Sequence, residues 1–437
     1  MHDAMDTRGL LSDEVVQLQE SGHSVARTPE LDELINGPAE RSAALDQAYE
    51  KVVQSPVRAD WGYDEPSSLE EILALLPPAG PEHPVADRAL DDRVLAAWLG
   101  RCAGCNLGKP VEGHGWDRHK LHRYLEEAGA YPLADYLPVL DPMPNGMELD
   151  PSWTVATRGR VQGMARDDDI DYTILGLHVL EKYGFGFSTA DVGEEWLALI
   201  PFTKTYTAER VAYRNLVHGL QPPATATFQN PYREWIGAMI RADIFGYVSP
   251  GQPRRAAELA YRDASLSHTA NGIYGEMWAA ALIAASFGPT SAREALEASL
   301  SVVPPRARLF EAITSQISLF DSGASWEDAM DEVDARLGHY HWVHTINNAA
   351  VVSAALLWGE GDYARTAGYA VEGGLDTDCT GVTAGSVFGA LHGTAALPAN
   401  FVQPLEDTVH SAIFGFDGSP ISNLATRTAK LAQEGRD

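Results

Sequence analysis

The stretch that decides the fold is EGGLDTDCTGVTAGSVFGALHG, residues 372–393. Glycines recur at every fourth position from Gly381 to Gly393, and residues four apart lie on one face of a helix. Each glycine costs a helix about 1 kcal/mol relative to alanine, so a bare stripe indicates close approach by a neighbouring helix. Most residues between the glycines are apolar, including Val382, Val387, Phe388 and Leu391. We therefore predict a buried helix at the centre of a core, with Asp376 and Asp378 at its N-terminus.

Helical periodicity dominates the rest of the chain. Apolar residues recur at intervals of three and four in several segments, such as DDRVLAAWLGRCAG, DIDYTILGLHVLEKYG and NNAAVVSAALLWG. No convincing series of alternating strands is present, which predicts an all-α protein built as an irregular many-helix bundle. The proline-rich stretch LLPPAGPEHPVADRAL predicts a boundary near residue 85. We expect an N-terminal helical extension over residues 1–85 and an all-α domain over residues 86–437.

Composition limits the possible partners and the compartment. The 437 residues include 32 Lys+Arg and 61 Asp+Glu, for a net charge of −29, and such a surface repels phosphate backbones, so we expect no nucleic-acid partner. The longest apolar stretches are too short to span a bilayer, and the N-terminus has no signal-peptide pattern. Three cysteines do not form a disulfide framework. These observations predict a protein of the reducing cytoplasm and leave its oligomeric state open.

A second acidic cluster precedes another amphipathic helix. Asp167, Asp168 and Asp169 are consecutive, and adjacent carboxylates raise one another's pKa unless a cation neutralises them. Capping of the helix N-terminus explains either acidic cluster alone, but it explains the pair less well. If the two helix starts meet in the core, at least four carboxylates converge there. Such a site favours hard cations with oxygen ligands, Mg²⁺ first and Mn²⁺ or Ca²⁺ next.

A third segment, GCNLGKPVE over residues 104–112, ends a helix and opens a turn that carries Glu112. Cys102 and Cys105 have C-x-x-C spacing, and Cys379 is the only other cysteine. A zinc or thiol enzyme that uses these three cysteines is an alternative. A second cysteine pair, which a structural zinc site usually needs, is missing.

These three segments together resemble the ADP-ribosylglycohydrolase family, which includes the dinitrogenase reductase-activating glycohydrolases. The family pattern is a G-D-x-L-G-x-P-x-E turn, a T-D-D-T helix start and a G-D-T-D-T helix start. GCNLGKPVE, DDDI (167–170) and LDTDCT (375–380) are similar to these motifs in the same order. SLSHTANGIYGEMWAAALIAASF also resembles the family's middle Ser/Thr-His segment. The resemblance spans roughly residues 88–400.

The resemblance implies an all-α fold around a centre of two Mg²⁺ ions, with Mn²⁺ as a substitute, that cleaves the glycosidic bond of an ADP-ribosyl group or a related riboside. Its metal ligands, carried over by position, would be Glu112, Asp168, Asp169, Asp376 and Asp378. The sequence departs from the family pattern at Cys105, Asp167, Ile170 and Cys379.

Two of these departures concern the metal ligands directly. Asp167 and Cys379 stand where the family has threonines, and a neutral thiol is a poor Mg²⁺ ligand. Either Thr380 or Asp167 would then supply the missing oxygen, or one ion is held more weakly. Glu112 or Asp168 would be the base that takes a proton from the attacking water.

Other residues are expected near the substrate. The resemblance places His268 close to the site as a supporting residue, and Cys379 would contact the substrate. The loop TATFQNPY offers Asn230 and Tyr232 as an acceptor-side wall, although it could simply connect helices. In HWVHTINNAA we expect an asparagine to cap the next helix.

The expected partner is a ribosyl-containing small molecule or an ADP-ribosylated acceptor. A noncatalytic member of the family that binds a ligand or has a structural role remains the alternative. The departures at Asp167, Ile170 and Cys379 keep that alternative open, whereas the retention of the acidic positions argues against it, because buried carboxylates without a cation are costly.

Overall fold

The computed structural model describes residues 4–37, 43–78, 87–113, 115–288 and 290–435. Helices dominate these residues, and the regular strands among them are the two-residue β1 (Thr408–Val409) and β2 (Ser419–Pro420), which pair antiparallel. The predicted all-α fold is confirmed. The predicted boundary near residue 85 lies outside the described residues. Within the described ranges, no helix is long and apolar enough to cross a membrane.

The α-helices run from the N-terminal segment to the C-terminus. Before the predicted boundary they are α1 (Thr7–Glu20), α2 (Pro29–Asn36), α3 (Ala43–Val52) and α4 (Leu69–Leu75). The next group is α5 (Asp87–Gly108), α6 (Arg118–Glu127), α7 (Trp153–Ala156), α8 (Asp168–Tyr183), α9 (Thr189–Leu199), α10 (Thr207–Val217), α11 (Ala224–Thr227), α12 (Asp243–Tyr247) and α13 (Pro253–Ala264). The last group is α14 (Ala270–Ser286), α15 (Ala292–Ser299), α16 (Arg308–Asp321), α17 (Trp326–Leu337), α18 (Thr345–Trp358), α19 (Tyr363–Glu372), α20 (Thr377–His392), α21 (Ala399–Val402) and α22 (Ile421–Glu434).

Short 3₁₀ turns connect several of these helices, at Lys109–Val111, Gly184–Gly186, Phe202–Lys204, Ile236–Arg241, Leu300–Val302, Thr394–Ala396 and Gln403–Leu405.

Helices that are buried on every side form the centre of the core. Every residue of α14 is buried, and α18 and α20 are buried over nearly their whole length. A helix without a polar face must be covered by other helices all round. The same continuous apolar core includes Leu11 and Val15 of α1 and Ile72 of α4. The N-terminal segment therefore packs onto the remainder of the protein.

The glycine stripe of α20 lies against a second glycine stripe. Gly381 faces Gly104 of α5, Gly385 faces Gly100, and Gly389 faces Ala96. A methyl group added at any of these glycines of α20 would overlap the facing backbone of α5. The two helices run antiparallel with their backbones in contact. This close approach is the reason for glycine at positions where alanine would otherwise favour the helix.

Ion pairs and hydrogen bonds join the N-terminal segment to the helices beneath it. Glu65 pairs with Arg308 at 2.8 Å, and Glu14 pairs with Arg233 at 2.8 Å. The Ser67 hydroxyl accepts a hydrogen bond from the Ala270 amide at 3.0 Å. Because all three contacts are buried or half-buried, the segment covers the start of α14.

Candidate metal centre and substrate cavity

The contact between the glycine stripes of α5 and α20, here called the glycine seam, places Glu112 beside the start of α20. Gly108 ends α5 against Thr377, whose hydroxyl donates a hydrogen bond to the Gly108 carbonyl at 2.9 Å. A single 3₁₀ turn then leads to Glu112. Carboxylate oxygens of Glu112, Asp376 and Asp378 lie within 4.8 Å of one another. Close packing of the α5 and α20 backbones thus brings Glu112 of the GCNLGKPVE segment next to Asp376 and Asp378.

The start of α8 completes the acidic cluster. Oxygens of Asp169 and Asp378 lie within 4.8 Å of each other and of the Cys379 sulfur. Arg101, on α5, donates to the Asp169 backbone carbonyl and pairs with Asp243 at 2.6 Å. This buried arginine ties the first turn of α8 to α5. The end of α5 and the starts of α8 and α20 therefore converge, and acids from all three segments lie together.

Asp167 belongs to the cluster but has both of its oxygens engaged. It is the N-cap of α8, where its Oδ1 accepts the Asp169 amide at 3.0 Å. Its Oδ2 contacts the ammonium group of Lys109. The capping interpretation therefore describes Asp167, and Lys109 neutralises its charge. No sequence pattern marks Lys109 as part of the site, because a lysine in a turn after a helix is usually solvated.

Asp376 occupies the N-cap position of α20 without capping it. Its side chain accepts no hydrogen bond from the first turn. Its backbone amide donates to Asn348 Oδ1 at 3.1 Å, and Asn348 in turn donates to the carbonyl of Trp342 at 2.8 Å. This leaves the Asp376 carboxylate aimed at the other acids.

Two buried carboxylate oxygens in the cluster have no hydrogen-bond partner, Asp169 Oδ1 and Asp376 Oδ1. A buried anionic oxygen without a partner is costly. Hard divalent cations with oxygen ligands neutralise such groups. The donor set therefore fits Mg²⁺ or Mn²⁺.

Crowding of the acids shifts their pKa values upward. Burial raises the pKa of Asp168 from 3.8 to about 6, with the charge of Asp378 acting in the same direction, while Arg166 and Lys109 oppose the rise. Burial and the charge of Asp378 also raise the pKa values of Glu112, Asp169 and Asp376 well above the ordinary range. Without a cation, these groups hold protons more strongly than ordinary carboxyls do.

The cysteines do not form a zinc or disulfide site. Cys102, Cys105 and Cys379 are all free and buried, and none of the candidate metal-binding groups in the described ranges contains two of them. Burial raises the pKa of each thiol, so each stays protonated near neutral pH. The Cys379 thiol donates to Asp169 Oδ2 at 3.4 Å. These observations argue against the thiol or zinc enzyme.

Thr380 does not face the acids. Its hydroxyl bonds to the Ala370 carbonyl at 2.8 Å and lies 3.2 Å from the Thr377 carbonyl. A hydroxyl turned toward the backbone of α19 supplies no oxygen to the cluster. The expected replacement of the family's threonine by Thr380 has no support in this geometry.

The acidic cluster lines part of a cavity of about 720 Å³. Its contribution is Glu112, Asp168, Asp169, Asp376 and Asp378, together with Lys109 and Cys379. Tyr206, Trp235 and Trp342 line other parts of it. A volume of this size suits a small ligand, with aromatic surfaces and a few polar groups to orient it.

The connection between α9 and α10, together with the first turn of α10, supplies positive charge to the cavity. Lys204 and Tyr206 of the connection and Arg210 of α10 line it. Arg166 fixes this segment, because its guanidinium pairs with Asp171 at 2.7 Å and donates to the Lys204 carbonyl at 3.0 Å. Sequence reasoning missed this wall, since FTKTYTAER has no motif that marks it as functional.

Three residues expected near the substrate lie elsewhere. Asn230 is buried and donates to the Ser267 carbonyl at 2.9 Å, and Tyr232 donates to Asp13 at 2.8 Å. His268 bonds to Ser267 at 2.8 Å, and burial lowers its pKa well below the usual range. None of the three lines the cavity. His268 Nε2 lies 3.9 Å from Glu209, which does line the cavity.

In the segment HWVHTINNAA a histidine, and not the expected asparagine, caps α18. His344 caps α18, because its Nδ1 accepts the Ile346 amide at 3.2 Å. Asn348 instead orients Asp376, as described above. Trp342 and Val343 form part of the cavity wall.

Comparison with known proteins agrees with these motifs. The family model described as ADP-ribosylglycohydrolase matches residues 86–437. The chain belongs to the ADP-ribosylglycohydrolase family. The match covers all the carboxylates of the cluster and both helices of the glycine seam. The family hydrolyses glycosidic bonds, and the acidic clusters of this member could hold a metal ion.

A solved structure described as an ADP-ribosylglycohydrolase-related protein complex is also similar to this family member. The identity is 18%, the TM-score is 0.46, and the match covers 79% of this chain and 99% of the other. No curated protein matches the chain in sequence.

Proposed function

We propose that the protein is a divalent-metal-dependent hydrolase that cleaves the N- or O-glycosidic bond of an ADP-ribosyl group or a related riboside. The observation that carries this proposal is the convergence of five cavity-lining carboxylates, two of which have a buried oxygen without a hydrogen-bond partner. We further propose a reducing, cytoplasmic location, which the three unpaired cysteines support.

The residues proposed to hold the metal are the acids that line the cavity: Glu112, Asp168, Asp169, Asp376 and Asp378. We propose two Mg²⁺ ions, for which Mn²⁺ can substitute. When bound, such ions would orient vicinal ribose hydroxyls and lower the pKa of a water molecule. Asp167 and Thr380 are left out of this set, since their oxygens are committed to Lys109 and to backbone groups.

The chain's own groups would handle the proton and the charge of the reaction. Ribosyl cleavage passes through an oxocarbenium-like state, which nearby carboxylates stabilise. Asp168 is our first candidate for the base, because a pKa of about 6 leaves it largely ionised at neutral pH. Glu112 is the second candidate, although it lies against Asp376 and Asp378. The buried position of the acids would limit the access of bulk water.

The test is hydrolysis by the full chain of an N-linked and an O-linked ADP-ribosyl peptide and of a simple N-riboside. We expect release of the ribosyl product that requires Mg²⁺ or Mn²⁺ and stops with a chelator. If Asp168 is the base, Asp168→Asn should lower kcat strongly and change KM little. Glu112→Gln is the matched variant for the second candidate base. Glu360→Gln changes an exposed carboxylate outside the cavity and should leave the rate unchanged.

Binding of a ribosyl ligand without turnover of any of these substrates would support the noncatalytic alternative. Absence of both binding and turnover, with metal present, would contradict the proposal.

A further inference from the structure

The residues just before one part of the cavity wall are tied to the N-terminal segment (residues 4–37 and 43–78). Tyr232 is buried, and its hydroxyl donates a hydrogen bond to Asp13 of α1 at 2.8 Å. Arg233 makes a two-point contact with Glu14, the next residue of α1, at 2.8 and 2.9 Å. Two consecutive residues of the chain therefore bind two consecutive residues of α1.

Glu234 extends this contact through an arginine of another helix. Its carboxylate pairs with Arg308 of α16 at 2.6 Å, and Arg308 pairs in turn with Glu65 of the N-terminal segment at 2.8 Å. All three side chains are buried. Separating buried ion pairs leaves an uncompensated charge, which is costly. The N-terminal segment therefore restrains residues 232–234.

The next three residues, 235–237, line the cavity and are here called the wall strip. The Trp235 ring lies 4.7 Å from the Tyr232 ring and stacks on the His341 ring at 4.3 Å, with an interplanar angle of 7°. The hydroxyl that binds Asp13 and the ring that contacts Trp235 belong to one side chain. Tyr232 therefore connects α1 directly to the cavity wall.

Backbone hydrogen bonds join the wall strip to the other aromatic part of the wall. The Ile236 amide donates to the Val343 carbonyl at 2.9 Å, and the Thr345 amide donates to the Glu234 carbonyl at 3.2 Å. Val343 and its neighbour Trp342 line the cavity as well. A displacement of the wall strip would therefore alter both aromatic parts of the wall.

Covering the core does not require these polar contacts. α1 already buries apolar side chains, such as Leu11 and Val15, in the common core. Apolar burial is non-directional, whereas hydrogen bonds and two-point ion pairs fix the position of their partners. The N-terminal segment also precedes residues 86–437, the part of the chain that matches the family. The directed contacts lie where they can set the wall strip.

We propose that the N-terminal segment positions the aromatic wall of the cavity, with Asp13, Glu14 and Tyr232 as positioning residues. Asp13 holds the Tyr232 hydroxyl, the Tyr232 ring supports Trp235, and Trp235 presents its aromatic surface to the ligand. The inference rests on the proposed function for the nature of that ligand, an ADP-ribosyl compound or a related riboside. None of the three positioning residues lines the cavity, so they act on the ligand through Trp235.

Tyr232→Phe tests this series of contacts, because it removes only the hydroxyl that binds Asp13. Tyr136→Phe is the matched control. Tyr136 is equally buried, its hydroxyl donates to the Phe401 carbonyl at 2.8 Å, and it does not line the cavity. Each variant loses one hydrogen bond of the same length, so both should lower the melting temperature by a similar amount. A purely structural hydroxyl at position 232 would give the same result as the control in every measurement.

Hydrogen exchange of the full chain, read by mass spectrometry, measures the position of the wall strip without any ligand. The amides of Ile236 and Thr345 should exchange at least about ten-fold faster in Tyr232→Phe than in Tyr136→Phe, because the wall strip opens locally more often. Comparison of the two variants removes the effect of a shared loss of global stability.

Calorimetry of the full chain with ADP-ribose in the presence of Mn²⁺ measures the consequence for binding. Tyr232→Phe should weaken ADP-ribose binding about five-fold or more and leave Mn²⁺ affinity unchanged. Asp13→Ala should have the same effect, and it carries the test if Tyr232→Phe does not fold. Asp13→Asn retains an acceptor oxygen and should bind like the wild type. Combining Asp13→Ala with Tyr232→Phe should add nothing, because both remove the same contact.

Equal exchange of the Ile236 amide in Tyr232→Phe and Tyr136→Phe overturns the inference, and the N-terminal segment then only covers the core. Unchanged ADP-ribose affinity in Tyr232→Phe overturns it as well. A wild type that binds Mn²⁺ and not ADP-ribose contradicts the proposed function instead, and the exchange rates then decide the inference alone.

Discussion

The starts of α8 and α20 have similar sequences and different structures. Each has acidic residues immediately before an apolar, buried helix. At α8 the first acid, Asp167, caps the helix and pairs with Lys109. At α20 the first acid, Asp376, caps nothing, and one of its oxygens has no partner. The same residue type at the same helix position therefore has a local role in one case and serves the cavity in the other.

Backbone placement accounts for the difference. Asn348 accepts the Asp376 amide, and the seam with α5 presses the first turn of α20 against Gly108. The carboxylate of Asp376 is thereby turned toward Glu112 and Asp378. At α8 the first turn contacts α5 through the Arg101 side chain, and Asp167 folds back onto the Asp169 amide. A cap is thus the default for an aspartate before a helix, and tertiary packing overrides it.

Removal of the acids of α20 should have the largest effect. We expect the double substitution Asp376→Ala, Asp378→Ala to lower Mn²⁺ affinity by at least on the order of 100-fold, since loss of ligands exceeds the loss of their supporting residues. The metal-free variant should be as stable as the wild type or more stable, because crowded buried charges are removed. Calorimetric titration with Mn²⁺ and thermal denaturation measure the two effects. Unchanged Mn²⁺ affinity would show that these acids only end a helix.

The seam that distinguishes α20 can be broken directly. Gly385→Ala places a methyl group against the Gly100 backbone, so we expect a loss of roughly 1–3 kcal/mol in the free energy of unfolding. Mn²⁺ affinity should fall too, because the seam sets Glu112 opposite Asp378. Gly186→Ala is the control, since a side chain there meets no atom within 4 Å. Equal denaturant midpoints for the two variants would contradict the close packing of α5 and α20.

The pH dependence of stability should reverse the usual trend of carboxylates. The folded state raises the pKa of Asp168 from 3.8 to about 6, so it binds more protons than the unfolded state between these values. The contribution of Asp168 to stability is therefore present below pH 3.8 and is lost as pH rises through about 6. Cation binding needs the ionised form, so the increase in melting temperature with Mn²⁺ should grow as pH rises past 6. Melting curves from pH 5 to 8, with Mn²⁺ and with chelator, measure this; a constant Mn²⁺ shift would count against it.

The smallest effect is expected at the other helix start. Asp167→Asn retains an acceptor for the Asp169 amide, and asparagine caps as well as aspartate. Lys109 loses its pair with Asp167 but remains beside the charges of Asp378, Glu112 and Asp168, so the free energy of unfolding should change by less than about 1 kcal/mol. Mn²⁺ affinity should change far less than in the α20 variant, because both oxygens of Asp167 are already engaged. Calorimetric titration with Mn²⁺ and thermal denaturation measure these two effects. A loss of Mn²⁺ binding comparable to that of the α20 variant would make Asp167 a ligand and remove the contrast.

The sequence predicted the site more completely at its acidic cluster than at its other walls. Clustered carboxylates can be recognised in a sequence, because such acids either bind a cation or cap a helix. Lys204 and Arg210 lie in a stretch without such a pattern, and a lone cation is normally a solvated surface group. Only burial beside the cavity distinguishes Arg210 from those. The loop with Asn230 and Tyr232 looked equally suitable in sequence, yet it packs under the N-terminal segment.

By itself, the sequence determined the all-α class, the buried glycine-striped helix and the acids at two helix starts, because helical period and glycine spacing are local properties of the chain. The tertiary structure decided which acids cap and which face the cavity, which glycines of α5 meet those of α20, and where Lys109 and Arg210 place their charges. These outcomes depend on contacts between residues distant in sequence, for which no local pattern exists. The division between Asp167 and Asp376 follows from that physical fact.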